Sequence, residues 1–495
     1  MFWAQHGYRW VVALVLATTT LGVAAEEVPP EQDPKLLRLV DPVLHWDRTP
    51  VAPEDNAWPV MAEVIEARTD LDQAKVMAWL PEKMYPDSAP LTQADRERAQ
   101  TMIESNREVL ALLLDAAKRP VCEIPDDALE DMADLIRDLG QLRAVCNLSI
   151  LQSQFDIEAG EHGAAIERLL DLHRIGTLMG RSDGKLAMLT TGMALVTNVD
   201  WVLAALIESG ALPAEQRQQI VAYLSAMPAK PGIADMIRRA FWRSYAGELR
   251  FMCELEEAGH PSKALSWMNE LMETSRRRRP RIPDEAGTGG LDRWCAAHGV
   301  TLIDLEQTIA MTREHCGRIV RNELGPWLDQ DTLIDEDYEA LAESIRSDVA
   351  YSVAMLERID EEAAPNGRVD FDVDIERLRN AMGKMSVISR IPALHLATDI
   401  SRMINCWDAA LLGIAAISLS PVEVGSLHDL VRLGILKRPP ADPFGMERLQ
   451  YDAGRRLVWS VGKDRRDDGG KGFPDDPKKQ LLGDDYVWRV RSGGD

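Results

Sequence analysis

Apolar residues recur three and four positions apart through most of this chain, and alternate every second position only near its end. In the stretch ALEDMADLIRDLGQLRAVCNLSILQSQFDIEAG, Leu129, Met132, Ile136, Leu139, Leu142, Val145 and Ser149 fall on one stripe. This predicts a helix, EAGEHG predicts a tight turn, and AAIERLLDLHRIGTLMG predicts the returning helix of an αα-hairpin. Upstream, NAWPVMAEVIEARTDL has helical spacing, and Thr92 followed by Asp95 predicts a capping box opening one long amphipathic run to about Arg119. Further helices are expected over 186–208, over 213–226 with Pro213 at the first helical position, and over 233–258. Three more are expected over 291–324, 333–362 and 374–419, the last broken near Pro392. The helices pair as in α-solenoids but recur at no fixed period, which predicts an irregular array of hairpins.

The pattern changes after about Ser426. A short helix and a Pro-rich turn are followed by RLQY, the turn DAGR and RLVWSVG, which read as a β-hairpin with Gly454 supplying the permissive turn backbone. YVWRV at 486–490 predicts a third strand. The expected fold class is therefore mainly α: an irregular helical-hairpin array closed by a small C-terminal three-stranded antiparallel β module.

Composition agrees, since Ala, Leu, Met and Val dominate the apolar residues while aromatics are only 6%. Eighty acidic residues against 56 basic ones give a net charge of −24, which disfavours nucleic acid as a partner. Arg276 to Arg279 then read as a solvated linker. At the N-terminus, Arg9 precedes an uncharged stretch from Trp10 to Ala25, with Val23 and Ala25 as small residues before Glu26. This predicts a signal peptide or membrane anchor over 1–25, and either reading exports the chain to the periplasm or beyond. Membrane association would come only through that segment if it is uncleaved. Export makes disulfides possible for the six cysteines, although their spread along apolar helix faces equally suits buried thiols. The expected division is an extended lead-in over 26–55, helical regions over 56–275 and 291–425 with a linker at 276–290, and the β module over 426–495.

Candidate chemistry concentrates between the second and third strands. The segment GKDRRDDGGKGFPDDPKKQLLGDD carries Asp464, Asp467, Asp468, Asp475, Asp476, Asp484 and Asp485. Ca²⁺ takes roughly six to eight oxygens from carboxylates and carbonyls, and clustered carboxylates repel unless a cation or solvent screens them. A solvated acidic loop neutralised by Lys463, Arg465, Arg466 and Lys471 is the alternative.

The layout DPFG, LQY, LVWSVGKD, DDGG, DDYVW resembles the C-terminal region of the major pseudopilins of type II secretion. Asp442, Pro443, Phe444 and Gly445 match that family's turn, and Ser460, Gly462 and Asp464 match its middle stretch. Asp484 and Asp485 before Trp488 are similar to the acidic pair that closes its loop. The resemblance spans about the last 55 residues and implies a structural Ca²⁺ held by Asp464, Asp467, Asp468, Asp484 and Asp485. The chain lacks the family's N-terminal processing motif, so assembly into a pseudopilus is not implied. The helical body resembles, loosely, exported bacterial proteins that join helical hairpins to such an ending, and that likeness supplies no activity.

Other motifs are weaker. Cys295, His298, His315 and Cys316 offer two Cys and two His for zinc at a spacing that fits no finger. GRSDGKL at 180–186 has the wrong spacing for a phosphate loop, and HExxH is absent. The functional expectation is an exported helical binding or scaffold protein with an unidentified protein partner. The alternative is an exported carboxylate-dependent hydrolase.

Overall fold

The computed structural model describes residues 51–68, 92–125, 132–182, 186–210, 212–227, 290–312, 331–363, 368–445, 448–462, 466–471 and 485–490, with residues 252, 261, 265 and 314. The chain is mainly helical and carries a small three-stranded antiparallel sheet at its C-terminal end. Two compact units are drawn from it: Thr49–Pro231 with Thr398–Asp495, and Gly232–Ala397.

In the first unit α1 (Ala57–Ala67) is capped by Asn56, whose carbonyl oxygen accepts from Trp58 N. The same side chain pairs with both backbone groups of Glu123, fastening that point of the chain to the start of α1. Thr92 and Asp95 form the expected capping box on α2 (Gln93–Ser105). The long amphipathic run does not continue unbroken to Arg119. It breaks at the buried Asn106, whose amide donates to the Met102 carbonyl, and resumes as α3 (Arg107–Ala116).

Next come α4 (Met132–Glu158) and α5 (His162–Arg181), joined through Gly160 at φ +87°, as the hairpin reading expects. The stripe on α4 widens into burial on most sides over 142–151, because α1, α2, α3, α5 and α6 all pack against it. α6 (Leu186–Glu208) crosses α5 most closely where Gly176 meets Gly192, a contact with no room for a Cβ on either residue. α7 (Ala214–Ala226) begins one residue later than expected, with Pro213 as its N-cap.

In the second unit the expected helix over 291–324 is interrupted. α8 (Gly290–His298) ends at Gly299, which takes φ +60° while Val300 N returns to the Cys295 carbonyl. α9 (Asp331–Glu362) packs on α8 and on the single turn α10 (Ile375–Leu378). Asp348 on α9 pairs with Arg377 and Lys384. The break expected near Pro392 lies instead at Asn380, a buried residue at φ +53°, and α11 (Ala381–Leu419) runs on through Pro392. The Asn380 side-chain oxygen accepts from Asp304 N and Thr308 Oγ1, which holds this left-handed corner.

The part of α11 from Thr398 onward belongs to the first unit, as do α12 (Leu427–Arg432), capped by Ser426 and Asp429, and the sheet. The strands β1 (Gln450–Asp452), β2 (Leu457–Ser460) and β3 (Tyr486–Arg489) lie in the order β1-β2-β3, with Tyr451 opposite Val458 and Val458 opposite Trp488. The hairpin turn is not opened by Gly454 as expected: the left-handed residue is Arg456 at φ +56°, and Asp452 Oδ1 accepts from Arg455 N to close the turn. Trp488 on β3 meets Trp407 on α11 edge to face, and Trp407 in turn lies against Trp201 on α6, so aromatic contacts seat the sheet on the helices.

Candidate functional site

The β module is organised around two buried aspartates. Asp442, first residue of the Asp-Pro-Phe-Gly turn, accepts from Phe444 N and Ser460 Oγ on one oxygen and from Val461 N on the other. The turn is thereby tied to the end of β2, and Phe444 stacks on Tyr486 of β3. Burial pushes the Asp442 carboxyl above its ordinary range, against the lowering effect of these hydrogen bonds.

Asp485 stands at the entrance to β3 and is fully buried. Its oxygens accept from Gly470 N at 2.7 Å and Asp468 N at 3.4 Å, folding the first part of the acidic loop back onto the sheet. Desolvation first, then the charges of Asp467 and Asp468, raise its pKa to about 6, while the two backbone donors oppose the rise. Asp467 accepts from Trp459 Nε1 at 3.0 Å and from Gly469 N at 2.9 Å. Asp467 and Asp468 face solvent. Of the sequence-predicted ligands, Asp467, Asp468 and Asp485 are thus brought to one end of the sheet. Asp464 and Asp484 lie outside the described residues, as do Asp475 and Asp476.

Cys295 is a buried thiol raised to about 12 by desolvation, and His298 stacks on Trp294 with Nδ1 2.8 Å from the Trp294 carbonyl oxygen. His315 and Cys316 lie outside the described residues. Cys122, Cys146, Cys295 and Cys406 are buried, whereas Cys253 lies outside the described residues, as do Arg276 to Arg279.

A second polar cluster, which the sequence reading missed, lies among the helices of the first unit. His173 on α5 places Nε2 3.2 Å from Asp408 Oδ1 on α11 and 3.4 Å from Asp200 Oδ1 on α6. Its Nδ1 is 3.0 Å from the Tyr223 hydroxyl on α7. His173 and Asp200 are fully buried, and the Asp408 side chain is 14% exposed. The available signal was one aspartate inside each of two strongly apolar segments, VTNVDWVLAAL and INCWDAALLG, and a histidine in LLDLHRIG.

No family model, curated protein or solved structure matches the chain. Its function therefore has to be read from these two sites.

Proposed function

We propose that the chain is an exported helical binding or scaffold protein whose helix pairs present a surface to a protein partner. Its C-terminal β module is held by one structural Ca²⁺, with Asp464, Asp467, Asp468, Asp484 and Asp485 as ligands and loop carbonyls completing the shell. The observation that carries the reading is the position of Asp485: a buried carboxylate whose pKa is raised in part by Asp467 and Asp468 beside it. A divalent cation at that point relieves both the desolvation and the mutual repulsion. Its role is structural, because it closes a loop of the module and stabilises the folded state by an amount that grows as RT ln(1 + c/Kd), where c is the free Ca²⁺ concentration. Export is supported by the apolar N-terminal segment and the small residues before Glu26.

Terbium luminescence tests this reading, since Tb³⁺ occupies Ca²⁺ sites and Trp459, bonded to Asp467, is placed to sensitise it. The expected result is a saturable signal displaced by Ca²⁺ but not by equimolar Mg²⁺, and lost in Asp485→Ala. A signal that Asp485→Ala leaves intact contradicts the assignment.

A further inference from the structure

We propose that His173, Asp200 and Asp408 form a binding site for a divalent transition-metal ion of the Zn²⁺ class, with Tyr223 as its outer partner. The site is distinct from the acidic loop and lies among α5, α6, α7 and α11.

The ligand types come first. One imidazole nitrogen and two carboxylate oxygens, all within 4.8 Å of one another, form a donor set suited to Zn²⁺ or its neighbours. Ca²⁺ is poorly served, because it seeks about six to eight oxygens and this trio supplies few. Spacing comes second. Metal–nitrogen and metal–oxygen bonds of about 2.0–2.1 Å at tetrahedral angles separate adjacent ligand atoms by roughly 3.3 Å. The two distances from His173 Nε2, 3.4 Å to Asp200 and 3.2 Å to Asp408, bracket that edge.

The far side of the imidazole supplies a third argument. A metal-bound histidine normally engages its other ring nitrogen in a hydrogen bond that fixes the tautomer. Tyr223 provides that partner at 3.0 Å. When Nδ1 donates to Tyr223, Nε2 turns a lone pair toward two carboxylate oxygens, which a cation between them reconciles. A neutral imidazole, two carboxylates and a divalent ion also sum to zero charge within the trio, which favours their burial. Three protein ligands leave a fourth position, and Asp408, the one partly exposed member, marks the side from which water or an exogenous donor would reach it.

The rival occupant is a proton, giving an imidazolium hydrogen-bonded to both carboxylates. A titration of the full chain, stripped with chelator, by Co²⁺ separates the two. One equivalent should bring the intense visible bands of four-coordinate Co²⁺, displaced by Zn²⁺ and not by saturating Ca²⁺. Asp408→Asn should weaken Co²⁺ binding at least tenfold with unchanged far-UV circular dichroism. Tyr223→Phe, which keeps every ligand, should weaken it by about 10- to 100-fold. Absence of the bands, or bands that Asp408→Asn leaves at full affinity, overturns the proposal in favour of the imidazolium, and Tyr223→Phe binding as tightly as the parent chain overturns the outer-partner role of Tyr223.

Discussion

The buried carboxylate of Asp485 accepts the backbone N–H of Gly470 at 2.7 Å, across 15 residues of sequence. Gly470 takes φ +67° there, and a Cβ on it would stand 3.2 Å from the Trp459 ring. Close approach and left-handed backbone therefore both call for glycine. Gly470→Ala should destabilise the β module by about 1–2 kcal/mol, measured as a lower urea midpoint of the transition that reports Trp459 fluorescence.

Asp485 also gives the protein a pH dependence of definite sign. Its folded pKa, about 6, lies above the ordinary carboxyl value of 3.8, so between these values the folded state keeps a proton that the unfolded chain has lost. This contribution is fully present below about pH 4 and disappears as pH rises through about 6. Urea denaturation in EDTA, compared between the parent chain and Asp485→Asn, should show a stability difference that falls across that window. Saturating Ca²⁺ should remove the fall by favouring the carboxylate.

Asp442 is a different case, since all its described partners donate to it. Asp442→Asn turns an NH₂ group toward at least one of the donors at Phe444, Ser460 and Val461. The expected cost is about 2–3 kcal/mol, from an unmade bond in a buried site. Ser460→Ala removes one donor and should cost about 1 kcal/mol, so the ratio of the two losses, read from denaturant midpoints, checks the network.

The Gly176–Gly192 crossing sets the closest approach of α5 to α6. A Cβ on Gly192 would lie 2.7 Å from the Met179 Cβ and against the Gly176 carbonyl, and one on Gly176 would lie 2.7 Å from the Gly192 carbonyl. Either alanine substitution must separate two long helices and should cost roughly 1–3 kcal/mol or more, visible in thermal unfolding followed by circular dichroism.

Asn380 offers a paired test in the second unit. Asn380→Gly keeps the left-handed backbone but removes the oxygen that accepts from Asp304 N and Thr308 Oγ1. Asn380→Ala loses both and should be the less stable of the two by about 1 kcal/mol. Equal stabilities would show that the side-chain bonds alone hold the corner.

Local signals were the ones the sequence displayed openly. The Thr92–Asp95 box, the Gly160 turn and the alternation in β2 and β3 each depend on residues a few positions apart, and each appears where the pattern places it. Where two local rules competed, the structure chose the less obvious residue. Arg456 rather than Gly454 takes the left-handed position, because Asp452 fixes the turn one step earlier. Asn380 rather than Pro392 breaks the helix, because its side chain replaces the backbone bonds that a corner forfeits. The His173 cluster was hidden for a geometric reason: His173 and Asp408 are separated by 235 residues, and no periodicity relates them. Asp442 and Asp485 were marked by composition and by a resemblance in layout, neither of which carries burial, and their burial follows from how the sheet closes over them.

The central claim is that a cation holds the acidic loop to the sheet. Thermal unfolding of the full chain in EDTA, in millimolar Ca²⁺ and in millimolar Mg²⁺, with Asp484→Ala/Asp485→Ala in parallel, tests it most directly. A Ca²⁺ concentration one hundred times the dissociation constant should stabilise the folded state by about 2.7 kcal/mol, raising Tm in the parent chain and leaving the double variant unmoved. Equal Tm values for the parent chain in EDTA and in Ca²⁺ would contradict the account and leave Asp485 as a buried hydrogen-bond acceptor of the loop backbone.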